Sequence, residues 1–522
     1  MKKRNIIILA AAGILCAAGV GAVAFNADKI FPEKIDSDFS VSYEGITAKS
    51  IDAGVSVHDP SIIKGEDGRY YLFGSHMSGA VTDDLKNWES IGDGYSIKNP
   101  IYGELLKNSE AFAYSGSRKS LIPTDDRSWH VWAPDVIYNK AQGKYSMYFC
   151  TTSTWNASNL CYAISDTPEG PYEWQGAFIY SGFANVKQMA ETDVLDYVSE
   201  DYAKENYITP LREYNFEQYP NAIDPTVFYD KEDRMWMVYG SWSGGIFILE
   251  LDAETGLPIH PENDPENNVD TYYGKRLLGG GHKSIEGPYI MYDAKSDYYY
   301  LFVSYGALTR EGGYQIRVFR SKTPDGDYVD MNGNTPWAKD KDHAGFGLKL
   351  SGNYMLPSLE QAYMATGHNS AFADDDGREY VVFHTRFEKR GEEHEPRVHQ
   401  MLPNEEGWPC MLPYATEGET VSETGYDKEE LVGEYFVINQ GKEINEKIAK
   451  PYKLVLSKRG KVYGKDVEGT WEAKDNSYYM NITIDGVSYS GVFCKMNDEA
   501  GTEVMSFSAA GDNESLWGVK YE

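Results

Sequence analysis

Between residues 57 and 383 the chain repeats one pattern of apolar and polar positions five times. Each unit opens on a turn-forming motif, runs apolar, crosses a polar or glycine-bearing turn, and returns as a second apolar run. The first is Asp59-Pro60-Ser61-Ile62-Ile63 with Tyr70-Tyr71-Leu72-Phe73-Gly74, and the second is Pro134-Asp135-Val136-Ile137-Tyr138 with Tyr145-Ser146-Met147-Tyr148-Phe149. The third is Asp224-Pro225-Thr226-Val227-Phe228 with Met235-Trp236-Met237-Val238-Tyr239-Gly240. The fourth is Glu286-Gly287-Pro288-Tyr289-Ile290 with Tyr298-Tyr299-Tyr300-Leu301-Phe302, and the fifth is His368-Asn369-Ser370-Ala371-Phe372 with Tyr380-Val381-Val382-Phe383. β-Branched and aromatic runs joined by turns such as Glu66-Asp67-Gly68 and Asp376-Gly377 predict antiparallel hairpins. A hairpin in every unit, with further strands between units, is the pattern of an all-β propeller, and five units predict five blades. The anchors Asp59, Asp135, Asp224, Glu286 and Asn369 are 76, 89, 62 and 83 positions apart. In a propeller they converge at one mouth of the central channel. A single Asp-Pro is explained by a turn alone; acids recurring at the same place in several units point to a site.

Outside the repeats the pattern changes. Residues 182–219 are polar and acidic and are expected to form an irregular or partly helical insertion. Residues 261–269 read as an acidic loop. Asp374-Asp375-Asp376 reads as a solvated hairpin tip, because it lacks the spacing of a calcium loop. From about Leu431 short strands alternate with turns, which predicts a small antiparallel barrel or sandwich. The expected organisation is a signal peptide over 1–24, a linker over 25–45, the propeller over 46–420 and the small β domain over 425–522. Lys2, Lys3 and Arg4 precede an apolar run over 6–24 that ends in Ala22-Val23-Ala24, the features of a secretory signal. The run is long enough to leave an uncleaved membrane anchor open. A secreted or surface-associated monomer is expected.

Composition then narrows the chemistry. The 522 residues carry 49 Lys+Arg against 80 Asp+Glu, a net charge of −31. That excludes a nucleic-acid partner, which needs a basic patch, and suits a neutral polysaccharide better than a polyuronate. The 41 Tyr and 11 Trp offer flat faces of the kind that stack on sugar rings. Beyond the signal segment four cysteines remain, too few for a disulfide scaffold. Of these, Cys150 and Cys161 either face each other across a strand pair or are buried free thiols. No Cys-x-x-Cys and no His-rich cluster is visible, and the glycine runs at 244–245 and 279–281 are not followed by the Lys-Ser/Thr of a phosphate loop. Carboxylates remain. Glycoside hydrolysis needs a protonated carboxyl for the leaving oxygen and an ionised one to activate water or to attack. Asp59 and Glu286 form the best pair, with Asp224 raising the pKa of Glu286 by like-charge repulsion.

Val57-His58-Asp59-Pro60-Ser61-Ile62, Trp132-Ala133-Pro134-Asp135-Val136, Asn221-Ala222-Ile223-Asp224-Pro225 and Ser284-Ile285-Glu286-Gly287-Pro288 occur in that order. The ordered set resembles glycoside hydrolase family 43. Gly240-Ser241-Trp242-Ser243-Gly244-Gly245-Ile246, Gly312-Gly313-Tyr314-Gln315-Ile316-Arg317-Val318 and Gly367-His368-Asn369-Ser370 resemble its endo-α-1,5-L-arabinanases. The resemblance implies a five-bladed fold and inverting, internal hydrolysis of the arabinan of pectin side chains. Asp59 would be the general base, Glu286 the general acid and Asp224 the group that tunes and orients Glu286. Inversion would set Asp59 and Glu286 about 6.5–9.5 Å apart. His368 would hold one Ca2+ on the propeller axis, mostly through waters. Asp135, Trp132, Asn221, Trp242, Tyr314 and Arg317 are the candidates to contact sugar. Three alternatives stay open: an exo-acting α-L-arabinofuranosidase or β-xylosidase with the same carboxylates, a non-catalytic sugar-binding propeller, and a fructan-acting propeller. His58-Asp59-Pro60-Ser61 argues against the last, whose nucleophile motif begins Asn-Asp-Pro-Asn.

Overall fold

The hairpins form where apolar runs flank a turn residue. Ser61–Lys64 returns as Tyr70–Gly74, with Ser61 opposite Phe73 and Lys64 opposite Tyr70. Gly68 in the connecting turn takes φ +83°. Ser78–Thr82 and Glu89–Gly92 complete a four-stranded antiparallel sheet. Val131–Asn139, Lys144–Thr152, Ser158–Ser165 and Glu173–Ser181 form a second, and Met364–Ala373, Glu379–Arg386, Glu395–Pro403 and Pro409–Met411 a third of the same order. Between these lies a six-stranded sheet built on Thr226–Tyr229, Met235–Tyr239, Ile246–Asp252 and Gly274–Leu278. Next come Ile285–Asp293, Tyr298–Tyr305, Gln315–Ser321 and Leu348–Ser351, which run on into the C-terminal strands through a parallel bridge from Lys349 to Glu514. The chain is all-β with a propeller-like arrangement of sheets. The leading strands pack side by side in turn: Ser61–Lys64 on Val131–Asn139, then Thr226–Tyr229, Ile285–Asp293 and Met364–Ala373, which returns to Ser61–Lys64.

This computed structural model describes residues 37–92, 99–103, 112–115, 130–152, 155–340 and 342–521, and Phe39–Glu522 is one compact unit. The expected signal peptide, and residues 25–36 of the expected linker, lie outside the described residues. The insertion is partly helical, with short helices Val186–Met189, Val194–Tyr197 and Glu200–Asn206. Asn185 and Ser199 cap two of them by accepting from Gln188 N and Tyr202 N. Its Phe183, Met189, Val194, Tyr207 and Tyr214 share a core with the second sheet and the six-stranded one.

The C-terminal pattern change marks a closed ring. Eight antiparallel strands run from Gly433–Asn439 to Glu514–Lys520, and these two pair with each other through Phe436–Val519 and Val437–Gly518. The ring is a barrel, which resolves the choice between barrel and sandwich. It shares a buried cluster with the propeller-like part, in which Trp517 meets Tyr354 edge-on at 5.1 Å.

One open alternative is decided and one expectation changes. Cys150 and Cys161 are free and buried. The register sets Phe149, not Cys150, opposite Cys161, so the two thiols enter different cores on opposite faces of the sheet. Of the expected solvated tip Asp375 and Asp376 are exposed, but Asp374 pairs with Lys64 at 2.5 Å and accepts from Tyr70 Oη at 2.6 Å, joining the last sheet to the first.

Candidate active site

Each leading strand has, just before it or within its first half, a residue with left-handed backbone: Asp59 (φ +55°), Ala133 (+41°), Asp224 (+55°), Gly287 (+56°) and His368 (+44°). Four of these precede a proline, at 60, 134, 225 and 288. Residues other than glycine adopt this region seldom, Asp, Asn and His most readily. It costs about 1–2 kcal/mol and persists where surrounding contacts fix it. Strand register shifts at three of the kinks, between Trp132 and Asp135, Glu286 and Tyr289, and Gly367 and Ser370. Such bulges re-aim side chains. A side chain at 287 would also crowd its neighbour, since a Cβ there would lie 3.0 Å from the His368 ring.

The kinks deliver Asp59, Asp224, Glu286 and His368 to one cavity of about 710 Å3, whose wall also holds Trp132, Asn221 and Trp242. Three expected residues are not part of that wall. Asp135 sits two positions past its kink, and its buried carboxylate accepts from Ser61 Oγ and, at 2.6 Å, from Val227 N. It ties three leading strands together, and burial raises its carboxyl to about 7. Arg317 is 0% exposed and donates to Gln315 Oε1, Gly347 O and Lys442 O. Its guanidinium fastens the barrel, far from the role of a sugar ligand. Tyr314 is buried, stacked on His384 at 5.8 Å and 4°. Its hydroxyl approaches Glu286 from behind the wall without hydrogen-bonding geometry, yet near enough to oppose the rise in that carboxyl's pKa. Asn369, one position past the fifth kink, is likewise buried away from the cavity wall.

The three carboxyls differ in charge state. Burial alone would raise Asp59, but His368, His58 and His384 together hold it well below the usual carboxylate range. His368 Nδ1 lies 2.9 Å and His58 Nε2 3.1 Å from its Oδ1, while Ser75 Oγ donates to Oδ2 at 2.5 Å. Burial raises Asp224 to about 7, with His368 opposing and the Glu286 and Asp59 charges reinforcing the rise. Burial also raises Glu286, against the pull of Tyr314 and His368. The Glu286 charge reinforces the rise at Asp224, so the two carboxyls oppose each other's ionisation. Trp242 Nε1 donates to Glu286 Oε2 at 2.6 Å and Ser241 Oγ at 3.3 Å, while Gly287 N donates to Asp224 Oδ2 at 3.2 Å. The cavity thus sets one carboxylate held ionised against two carboxyls whose pKa is raised, the division that acid/base hydrolysis of an acetal requires.

Several wall residues escape the sequence pattern. Ser75 accepts from Ala133 N at 2.8 Å while donating to Asp59, so it links two kinks. Trp155 is 54% exposed at the cavity wall, an aromatic face open to a ligand. Its signal is a tryptophan in an otherwise polar Ser-Thr-Trp-Asn stretch of sequence. His282 also lines the cavity. The insertion braces this side: Gly244 N donates to Phe216 O and Gly281 N to Glu217 O, both at 2.8 Å. Residue 244 must be glycine, because a Cβ would fall 2.2 Å from the Tyr219 backbone.

Comparison with known proteins agrees with this geometry. Residues 53–409 match the family model for glycosyl hydrolases family 43, and residues 413–518 match one for a C-terminal lipocalin-like domain. An extracellular endo-α-(1→5)-L-arabinanase of Thermotoga petrophila is 40% identical over 483 residues, 89% of this chain and 94% of that protein. Extracellular endo-α-(1→5)-L-arabinanase 2 of Bacillus subtilis is 38% identical over 490 residues, 90% of this chain and 94% of that protein. The crystal structure of the endo-1,5-α-L-arabinanase from Thermotoga petrophila in complex with TRIS matches with a TM-score of 0.77, covering 91% of this chain and all of that one. By the extent of these matches and the carboxylates at its kinks, the chain belongs to glycosyl hydrolases family 43.

Proposed function

We propose that the protein cleaves α-1,5-L-arabinofuranosidic bonds inside arabinan chains, with inversion. The observation that carries this reading is the division of the carboxyls in the cavity, with Asp59 held well below the usual carboxylate range and Glu286 and Asp224 raised above it. Asp59 takes a proton from water as the water attacks the anomeric carbon, and Glu286 gives its proton to the departing oxygen. Asp224 keeps Glu286 protonated and, through Gly287 N, is tied to the backbone beside it. Trp242 orients Glu286 as a hydrogen-bond donor and offers its ring to sugar. The closed sequence of contacts among leading strands supports five blades, with Ile285–Ser351 as the fourth. On this reading 46–420 is the catalytic propeller, 425–522 the barrel domain, 25–45 a linker and 1–24 a secretory signal. The extracellular names of the relatives support secretion, and among the described residues no helix is long and apolar enough to cross a membrane. The test is product size over time on linear α-1,5-arabinan. Mixed oligosaccharides in the first minutes are the expected result. Arabinose or one short oligomer alone from the start would make the protein an exo-enzyme, the activity named for a Cellvibrio japonicus relative 26% identical over 366 residues.

Asp224→Asn is expected to move the alkaline limb of the pH–rate profile to lower pH and to slow turnover at neutral pH. Removing a like charge lowers the folded-state pKa of Glu286, so the acid is lost earlier as pH rises. A profile unchanged in shape and position would remove the tuning role.

One calcium ion on the axis, held by His368 with waters completing its shell, is part of the proposal. The residues suit it: His368 Nδ1 faces Asp59 Oδ1 at 2.9 Å, as when a metal-bound imidazole donates its other N–H to a carboxylate. The three cavity carboxyls supply the oxygen-rich, negative surroundings that calcium prefers. Bound there, calcium adds positive charge beside the carboxylates. Treatment with a calcium-selective chelator is expected to lower both Tm and turnover, with recovery on adding calcium and about one ion per chain by elemental analysis. Indifference to chelation, with no ion found, would leave His368 as the protonated partner of Asp59.

A further inference from the structure

Three imidazoles from opposite ends of the sheet series meet beside Asp59. His58 precedes the first leading strand, His384 lies within Glu379–Arg386, and His394 directly precedes Glu395–Pro403. Their ligand-capable nitrogens all lie within 4.8 Å of one another. His58 stacks on His394 with centroids 4.0 Å apart at 14°, and His384 stands across both, at 5.2 and 4.7 Å. His384 is 0% exposed, and among the described residues the buried Nε2 atoms of His384 and His394 have no hydrogen-bond partner, while that of His58 lies 3.1 Å from Asp59 Oδ1 without hydrogen-bonding geometry. A buried polar atom left without a partner is costly, so such atoms gathered in one cluster call for a ligand. Burial lowers the pKa of all three rings, His394 to about 2, and the neighbouring imidazoles push His384 and His394 further down. The rings are neutral and keep their lone pairs. Neutral imidazoles suit zinc, nickel and copper rather than calcium or magnesium, which want oxygen.

We propose that His58, His384 and His394 bind one divalent ion of the zinc class, which clamps the first sheet to the last. Zn–N bonds of about 2.0–2.1 Å in tetrahedral geometry place the nitrogens roughly 3.4 Å apart, so the rings close by about an ångström and unstack around the ion, with water in the fourth position. With Nε2 of His384 on the metal, its ring proton sits on Nδ1, which faces Asp59 Oδ1 at 4.0 Å. The amide of Asp59, now 3.3 Å from that nitrogen, gives up a long bond in exchange. The clamp falls where the two ends of the sheet series already meet. Val57 N donates to His394 O at 2.8 Å, and Leu72 shares a core cluster with Val382 and Val398. Asp59 and His384 are 325 positions apart. Cross-links that close long loops remove the most freedom from the unfolded chain, so the ion stabilises the closed arrangement. The site is separate from the calcium proposed at His368 in both residues and donor chemistry.

The experiment uses the full chain, freed of metal and titrated first with Co2+ and then with Zn2+. One cobalt per chain is expected, with the intense visible bands of a four-coordinate site, displaced by one equivalent of zinc. Zinc should raise Tm in proportion to the logarithm of its concentration. His394→Gln should lose both the bands and the Tm rise, and His368→Gln should keep them. X-ray absorption on the unmodified zinc-loaded protein should show imidazole nitrogens at about 2.0–2.1 Å, a readout that does not depend on a variant folding. No cobalt or zinc uptake at micromolar metal would overturn the proposal. So would an all-oxygen shell, or uptake that survives His394→Gln and disappears in His368→Gln.

Discussion

Asp59→Asn is expected to cut turnover on arabinan by about 10³-fold or more, the upper range for loss of a positioned base, while Tm stays close to wild type. Asparagine is the right probe because of the backbone. Residue 59 sits at φ +55°, a conformation asparagine tolerates more readily than alanine. The amide keeps an acceptor for Ser75 Oγ and the shape of the carboxylate. What disappears is the charge that His368 and His58 hold in place, and with it the capacity to take a proton from water. Alanine would mix that loss with backbone strain. A variant that keeps more than about a tenth of the wild-type rate would remove Asp59 from the role of base.

Glu286→Gln is expected to be as damaging on arabinan, by about 10³–10⁴-fold, but far less so on an arabinooligosaccharide carrying a nitrophenyl leaving group. Nitrophenolate departs without a proton, so the substrate does the work of the missing acid. The amide retains an oxygen for Trp242 Nε1 and Ser241 Oγ, which keeps the cavity wall in shape. Equal losses on both substrates would mean that Glu286 acts in binding and not in proton transfer.

Much of this site is legible from spacing alone, since the hairpin repeats and their acids locate Asp59, Asp224 and Glu286. Aligning the units on their acids misplaces the second and fifth. The prolines mark the kink more faithfully: they set Ala133 in line with Asp59 and Asp224, which puts Asp135 two positions too far and turns its side chain between strands. In the fifth unit His368, not Asn369, occupies the kink. Tyr314 and Arg317 sit at and beside the start of Gln315–Ser321, whose buried surroundings are fixed by docking against the barrel, at Lys442 and Glu443. No periodicity within the strand reveals that contact. The histidine cluster has no spacing signature either, because only the meeting of first and last sheets brings its members together.

The buried cluster that Trp517 shares with Tyr354 has a consequence for how the polypeptide holds together as a thermodynamic body. The two regions that family models recognise separately, 53–409 and 413–518, each have buried clusters of their own but share a further one: Tyr300, Phe302, Leu402 and Trp408 are buried together with Val492, Cys494 and Val519. A gene truncated at the recognised boundary would leave those side chains facing water, with Gln315, Arg317 and Lys349 deprived of the barrel carbonyls they bind. The barrel is therefore less an accessory module than a missing wall, and heat or denaturant should take both regions apart in a single cooperative step.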